Sequence, residues 1–87
     1  MPTLYVQNVC HPSTRRQKRS FDWLPSPGGK WRSVEIEPDA EVFVDKLPAE
    51  LITRAVEHRE RYHDIVDAAS LPLRPGFEGL AYRVEAE

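Results

Sequence analysis

The chain has 87 residues, of which 40% are hydrophobic and 30% charged, with a net charge of −2. That composition suits a single soluble domain over residues 1–87, with a small core: a chain of this size buries roughly 60–65% of the surface its unfolded form exposes. The lone cysteine, Cys10, excludes an internal disulfide, no stretch approaches a membrane span, and residues 1–9 lack the cationic start and apolar run of a secretory signal, so the expected place is the cytoplasm, or an assembly made there.

The charge is unevenly placed. Residues 1–32 carry Arg15, Arg16, Lys18, Arg19, Lys30 and Arg32 against Asp22 alone, a net of +5. Residues 33–87 carry six basic and thirteen acidic side chains, a net of −7. Such asymmetry marks either a binding segment or two parts that neutralise each other in the fold.

TLYVQNV, residues 3–9, is rich in β-formers and alternates, Leu4 and Val6 one way and Tyr5 and Gln7 the other, which predicts a strand. Pro12 stops it, because proline cannot donate to a ladder. KRSFDWLP, residues 18–25, alternates again with Phe21 and Trp23 on one face. SPGG is a turn signal, and KWRSVEIEP, residues 30–38, returns with Val34 and Ile36 inward, so the pair predicts a hairpin. The glycines have this structural reason, and their spacing is not that of a phosphate loop. AEVFVDK, residues 40–46, alternates with Val42 and Val44 on one face and is expected to continue an antiparallel meander.

LPAELITRAVEHRERYH, residues 47–63, is the one helix. Pro48 suits its first turn, and Glu50 faces the positive end of the dipole. Leu51, Ile52, Ala55, Val56, Arg59 and Tyr62 fall near one stripe, while Arg54, Glu57, Glu60 and Arg61 face water. DIVDAAS, residues 64–70, extends the helix or forms a short strand. GLAYRVE, residues 79–85, alternates as a last strand. The expectation is an α+β fold: a small antiparallel sheet of about four to five strands with one helix on one face.

Candidate chemistry is sparse. His58 and His63, five apart, sit about 140° apart on a helix, and adjacent Cys10 and His11 chelate poorly, so no metal site is expected. Cys10 has no nucleophile motif around it. No catalytic residue, cofactor or enzymatic activity is expected. Glu35 and Glu37, continued by Asp39 and Glu41, read as a solvated sheet face, or as an acidic strip that meets a basic partner.

The basic segment 15–19 is the sharper feature. Four cations in five positions cannot be buried without partners, so STRRQKR is expected to be an exposed connection into the hairpin and the edge of a functional surface. Trp31 and Arg32 are expected to lie close to it. Arginine and tryptophan are the types that most often anchor interfaces. Phe21, Trp23 and Trp31 remain open between core and contact surface. The expected binding residues are Arg15, Arg16, Lys18, Arg19, Trp31 and Arg32.

LYVQN, FDWLP, VEHRERYH and GFEGLAYRVE together resemble small accessory proteins encoded by bacterial phages and integrative elements. The family form has glycine after the tyrosine that closes the helix, where this chain has His63. The resemblance implies action by binding: inhibition of a host defence complex, as anti-CRISPR proteins do, or a part in a virion or transfer apparatus. The expected function is therefore a non-enzymatic binding protein with a protein partner. The alternative is a nucleic-acid-binding module that uses segment 15–19 and the tryptophan-bearing hairpin.

Overall fold

In a computed structural model, which describes residues 1–10, 16–62, 64–69 and 75–86, the chain is α+β. Its elements are β1 (Thr3–Val9), β2 (Arg19–Trp23), β3 (Arg32–Ile36), β4 (Glu41–Lys46), α1 (Ala49–Glu60), β5 (Ile65–Asp67) and β6 (Gly79–Glu85). The strands do not form the expected meander. Four make a mixed sheet in the order β4-β1-β6-β5, with β5 parallel to β6, and β2 and β3 make a separate two-stranded ribbon.

The departure begins at the connection after β3. Ala40 N–H donates to the Glu37 carbonyl at 3.1 Å, Pro38 occupies the second position and Asp39 the third with φ 62°. That is the signature of a type II turn, with proline setting one dihedral and an aspartate tolerating the left-handed one. The turn docks on β1 rather than folding back on β3: Asp39 N–H donates to the Asn8 carbonyl at 2.8 Å, and Asn8 N–H to the Ala40 carbonyl at 3.0 Å. β4 is thereby delivered to β1, with Val6 opposite Val42 and Tyr5 opposite Phe43. β6 takes the other edge of β1, so the first strand is central.

β5 is the element the sequence left open, and it is a strand. It lies beside β6 because Gly79 allows a close approach. Its φ is 145°, and a Cβ there would sit 2.4 Å from the Asp64 carbonyl oxygen, which accepts the Leu80 N–H.

The inward phase of β1 buries Leu4, Val6 and Asn8, as alternation requires. Leu80 joins them from β6, Val44 from β4 and Ile65 from β5. α1 covers this face with Leu51, Ile52, Ala55 and Val56, and the ribbon closes it with Phe21, Trp23 and Ile36. Phe21 and Trp23 are therefore core, and Trp23 satisfies its indole N–H on Asp45 at 3.2 Å. Arg59 is also buried, as its place on the helical stripe predicts. Tyr62 is not: the helix ends at Glu60, Tyr62 N–H closes a tight last turn on the Arg59 carbonyl, and the ring is 66% exposed. On the outer face of the sheet, Tyr5 meets Phe43 edge to face and carries the Arg83 guanidinium over its ring at 4.2 Å. No helix among the described residues is long and apolar enough to cross a membrane.

Candidate interaction surface

The sequence-predicted binding residues separate into two places. The ribbon register pairs Arg19 with Ile36 and Trp23 with Arg32. Arg19 thus stands at the base of the ribbon and Arg32 near its turn, four strand steps or roughly 13 Å away. The expectation that Trp31 and Arg32 lie beside segment 15–19 is overturned: in an antiparallel pair, residues near the turn are the ones farthest from the strand's entry. Arg15 lies outside the described residues.

At the base, each described cation of the segment meets groups of its own chain. Arg16 pairs with Asp39 at 2.6 Å, and Lys18 reaches Glu35 at 3.3 Å and Glu37 at 3.4 Å. These carboxylates raise the Lys18 pKa above its ordinary value, Glu35 first and Glu37 second. Arg19 donates from Nη1 to the Asn8 side-chain oxygen at 2.6 Å and to the Val9 carbonyl at 3.1 Å. The acidic strip of β3 and its following turn is consequently occupied by this chain's own cations, and Glu41 is likewise bound by Arg83 at 2.9 Å.

Asn8 organises this end. It is fully buried, and its amide nitrogen donates to the Gln17 carbonyl at 2.8 Å and the Ile36 carbonyl at 3.0 Å. One side chain therefore ties the central strand to both sides of the ribbon's base. The alternation of β1 signals it, since Asn8 shares the parity of Leu4 and Val6, and a polar residue in a core phase needs partners. Cys10 sits beside this knot, half-buried, with its sulfur 3.6 Å from Arg19 Nη1. Among the described residues, no three His, Cys, Asp or Glu side chains gather where they would hold a metal ion.

At the turn end the arrangement is different. Trp31 is 44% exposed and lies stacked on His58, with ring centroids 4.3 Å apart and planes 29° apart. Tyr62 meets His58 edge-on at 5.5 Å. His58 Nε2 is 3.9 Å from an Asp22 carboxylate oxygen. Arg54, His58, Arg61 and Tyr62 share one helix stripe, at spacings of three and four. A cavity of about 270 Å³ opens among Trp31, Arg54, Glu57, His58 and Arg61. Among the described residues, Lys30, Arg32, Arg54 and Arg61 form no ion pair. The result is an aromatic ridge flanked by uncommitted cations. Sequence reasoning named Trp31 and Arg32 but missed Arg54, His58, Arg61 and Tyr62, which only the docking of α1 on the ribbon brings to them.

A second cavity, of about 460 Å³, lies on the other flank of α1. Ile52, Val56, Tyr82 and Val84 line it, and Glu57, Glu60 and Asp67 rim it. Burial first, then the charges of Asp67 and Glu60, push the Tyr82 phenol above its ordinary pKa, so it stays a neutral donor.

No family model matches the chain, no curated protein matches it, and no solved structure matches it.

Proposed function

We propose that the protein is a non-enzymatic binding domain that acts by contact with another protein, through the ridge of Trp31, His58 and Tyr62 with Arg32, Arg54 and Arg61. One observation carries the reading: a tryptophan of which nearly half stays exposed stacks on His58 beside Arg54 and Arg61, which form no ion pair among the described residues although Glu57 lines the same cavity. A pre-oriented tryptophan loses little freedom on binding, and tryptophan with arginine makes the usual interface anchor. The flanking cations select an acidic partner surface. The resemblance to phage and integrative-element accessory proteins makes the partner a component of a host complex, such as a defence complex, or of a virion or transfer apparatus.

The nucleic-acid alternative fares worse on the same geometry. It needs the basic segment and the exposed tryptophan on one continuous track, whereas they stand at opposite ends of the ribbon.

Capture from nuclease-treated host lysate tests the reading. The wild type should retain a protein partner that Trp31→Ala loses by about 2 kcal/mol of binding free energy, roughly 30-fold, while its thermal midpoint falls little. Binding that disappears with nuclease and drops steeply with salt would transfer the function to nucleic acid. Equal capture by the wild type and Trp31→Ala would remove the ridge from the interface.

A further inference from the structure

Arg59 is the odd member of the buried helical stripe. It follows Ala55 and Val56 toward the core, is only 6% exposed, and its Nε has no hydrogen-bond partner among the described residues. A guanidinium carries five N–H donors, accepts nothing and stays charged at neutral pH. Holding one inside a fold without an acceptor is costly, and such a group in a native structure asks for an explanation. Burial lowers the Arg59 pKa from the usual arginine value; Asp22 opposes that, and Arg19 adds to it.

The explanation lies in the adjoining cavity. It measures about 150 Å³ and is lined by Gln17, Lys18, Arg19, Ser20 and Arg59. Three of the five lining residues are cationic, and none is acidic. A cavity of about 150 Å³ holds a ligand the size of benzene, so the space admits an anion of five heavy atoms. Gln17, Lys18 and Ser20 are exposed at its mouth, while Arg59 forms its inner wall.

We infer that this cavity is a site for a phosphate-sized oxyanion, held by Arg59, Arg19 and Lys18 with the Ser20 hydroxyl as a further donor. The anion provides an acceptor for Arg59 Nε where the described residues offer none, and it sits between two guanidinium groups that otherwise repel. Charge-assisted hydrogen bonds of this kind are short and strong, and arginine suits tetrahedral oxyanions by its fork of donors. Lys18 is free to turn to the anion, because its bonds to Glu35 and Glu37 are exposed and weak. Asp22 faces Arg59 from β2 but does not line the cavity. The site is separate from the Trp31 ridge and does not rest on the protein-contact reading.

The test is thermal melting of the intact chain against inorganic phosphate, with ionic strength held constant by sodium chloride. The wild-type midpoint should rise saturably with phosphate, since a ligand that binds only the folded state stabilises it by mass action. Arg59→Met should fold, with a midpoint in chloride at or above the wild type's, because an apolar side chain suits that wall better than an unpaired charge. Its phosphate affinity should fall at least about tenfold, and Trp31→Ala should keep the wild-type response. Backbone amide NMR of the wild type serves if Arg59→Met does not fold: phosphate should shift the signals of Arg19 and Ser20. Phenyl phosphate titrated separately distinguishes a free anion, which it should not replace, from a phosphoryl ester, which it should mimic. No midpoint gain over chloride, an equal gain in Arg59→Met, or phosphate shifts confined to Arg54 and Arg61 would each overturn the inference.

Discussion

At the base of the β2–β3 ribbon, Arg16, Lys18 and Arg19 meet acids and carbonyls of their own chain; at its turn end, Lys30 and Arg32 flank a half-exposed tryptophan and meet none among the described residues. The two ends carry similar side chains. Register separates them. With Arg19 opposite Ile36, Lys18 falls beside Glu37 and within reach of Glu35, whereas Arg32 falls opposite Trp23. The same local density of positive charge thus serves internal cohesion in one place and presentation in the other. A basic run in a sequence says how many cations there are; the strand pairing says which of them are left over for a partner.

Breaking the base should have the largest effect. Asn8→Ala removes both amide bonds to the Gln17 and Ile36 carbonyls and the acceptor for Arg19, in a fully buried place. Orphaned buried groups cost about 1–3 kcal/mol each and share one network here, so the loss should be roughly 2–4 kcal/mol. A urea midpoint shows it directly. A change below about 0.5 kcal/mol, the range of an ordinary surface substitution, would mean the ribbon does not depend on this knot.

Replacing Arg15, Arg16, Lys18 and Arg19 together by alanine sharpens the contrast between the ends. The fold should survive but lose about 1–2 kcal/mol, chiefly through the part-buried bonds of Arg19, while partner capture through Trp31 persists. Unchanged stability with lost capture would make the base, not the turn end, the contact surface.

Lys18→Ala should do least. The Lys18 pKa is raised above 10.5 by Glu35 and then Glu37. A raised folded-state value means its contribution is complete below pH 10.5 and disappears as the pH climbs through that raised value. At low salt the variant should melt slightly below the wild type in the neutral range and converge with it at the alkaline end. High salt should close the gap as well, because both partners are exposed. A gap that stays open in high salt would show packing rather than charge.

Much of the local structure was legible. Alternation marks β1, β2, β3, β4 and β6, and the three-and-four spacing of Leu51, Ile52, Ala55 and Val56 gives the helix and the face it buries. The shared face of Phe21 and Trp23 was legible, but their place in the core rather than at a contact surface was left open by the sequence and is decided by the packing. Half of the candidate surface was legible too: Trp31 and Arg32 stand out as interface types, but Arg54, His58 and Arg61 look like an ordinary wet helix face until the ribbon lies against them.

The sequence by itself determined five of the six described strands, the helix and most of their inward sides, because those follow from the period of apolar residues along the chain. Only the tertiary structure decided which strands are neighbours. Period two encodes a face and not a partner, and the turn at Asp39 that hands β4 to β1 draws its anchor from Asn8, some thirty residues away. The fate of each charge was decided at the same level. Asn8 finds the Ile36 carbonyl across 28 positions, and Arg83 finds Glu41 across 42. An ion pair is worth having only at contact distance, and contact between residues so far apart is set by the packing of the whole chain.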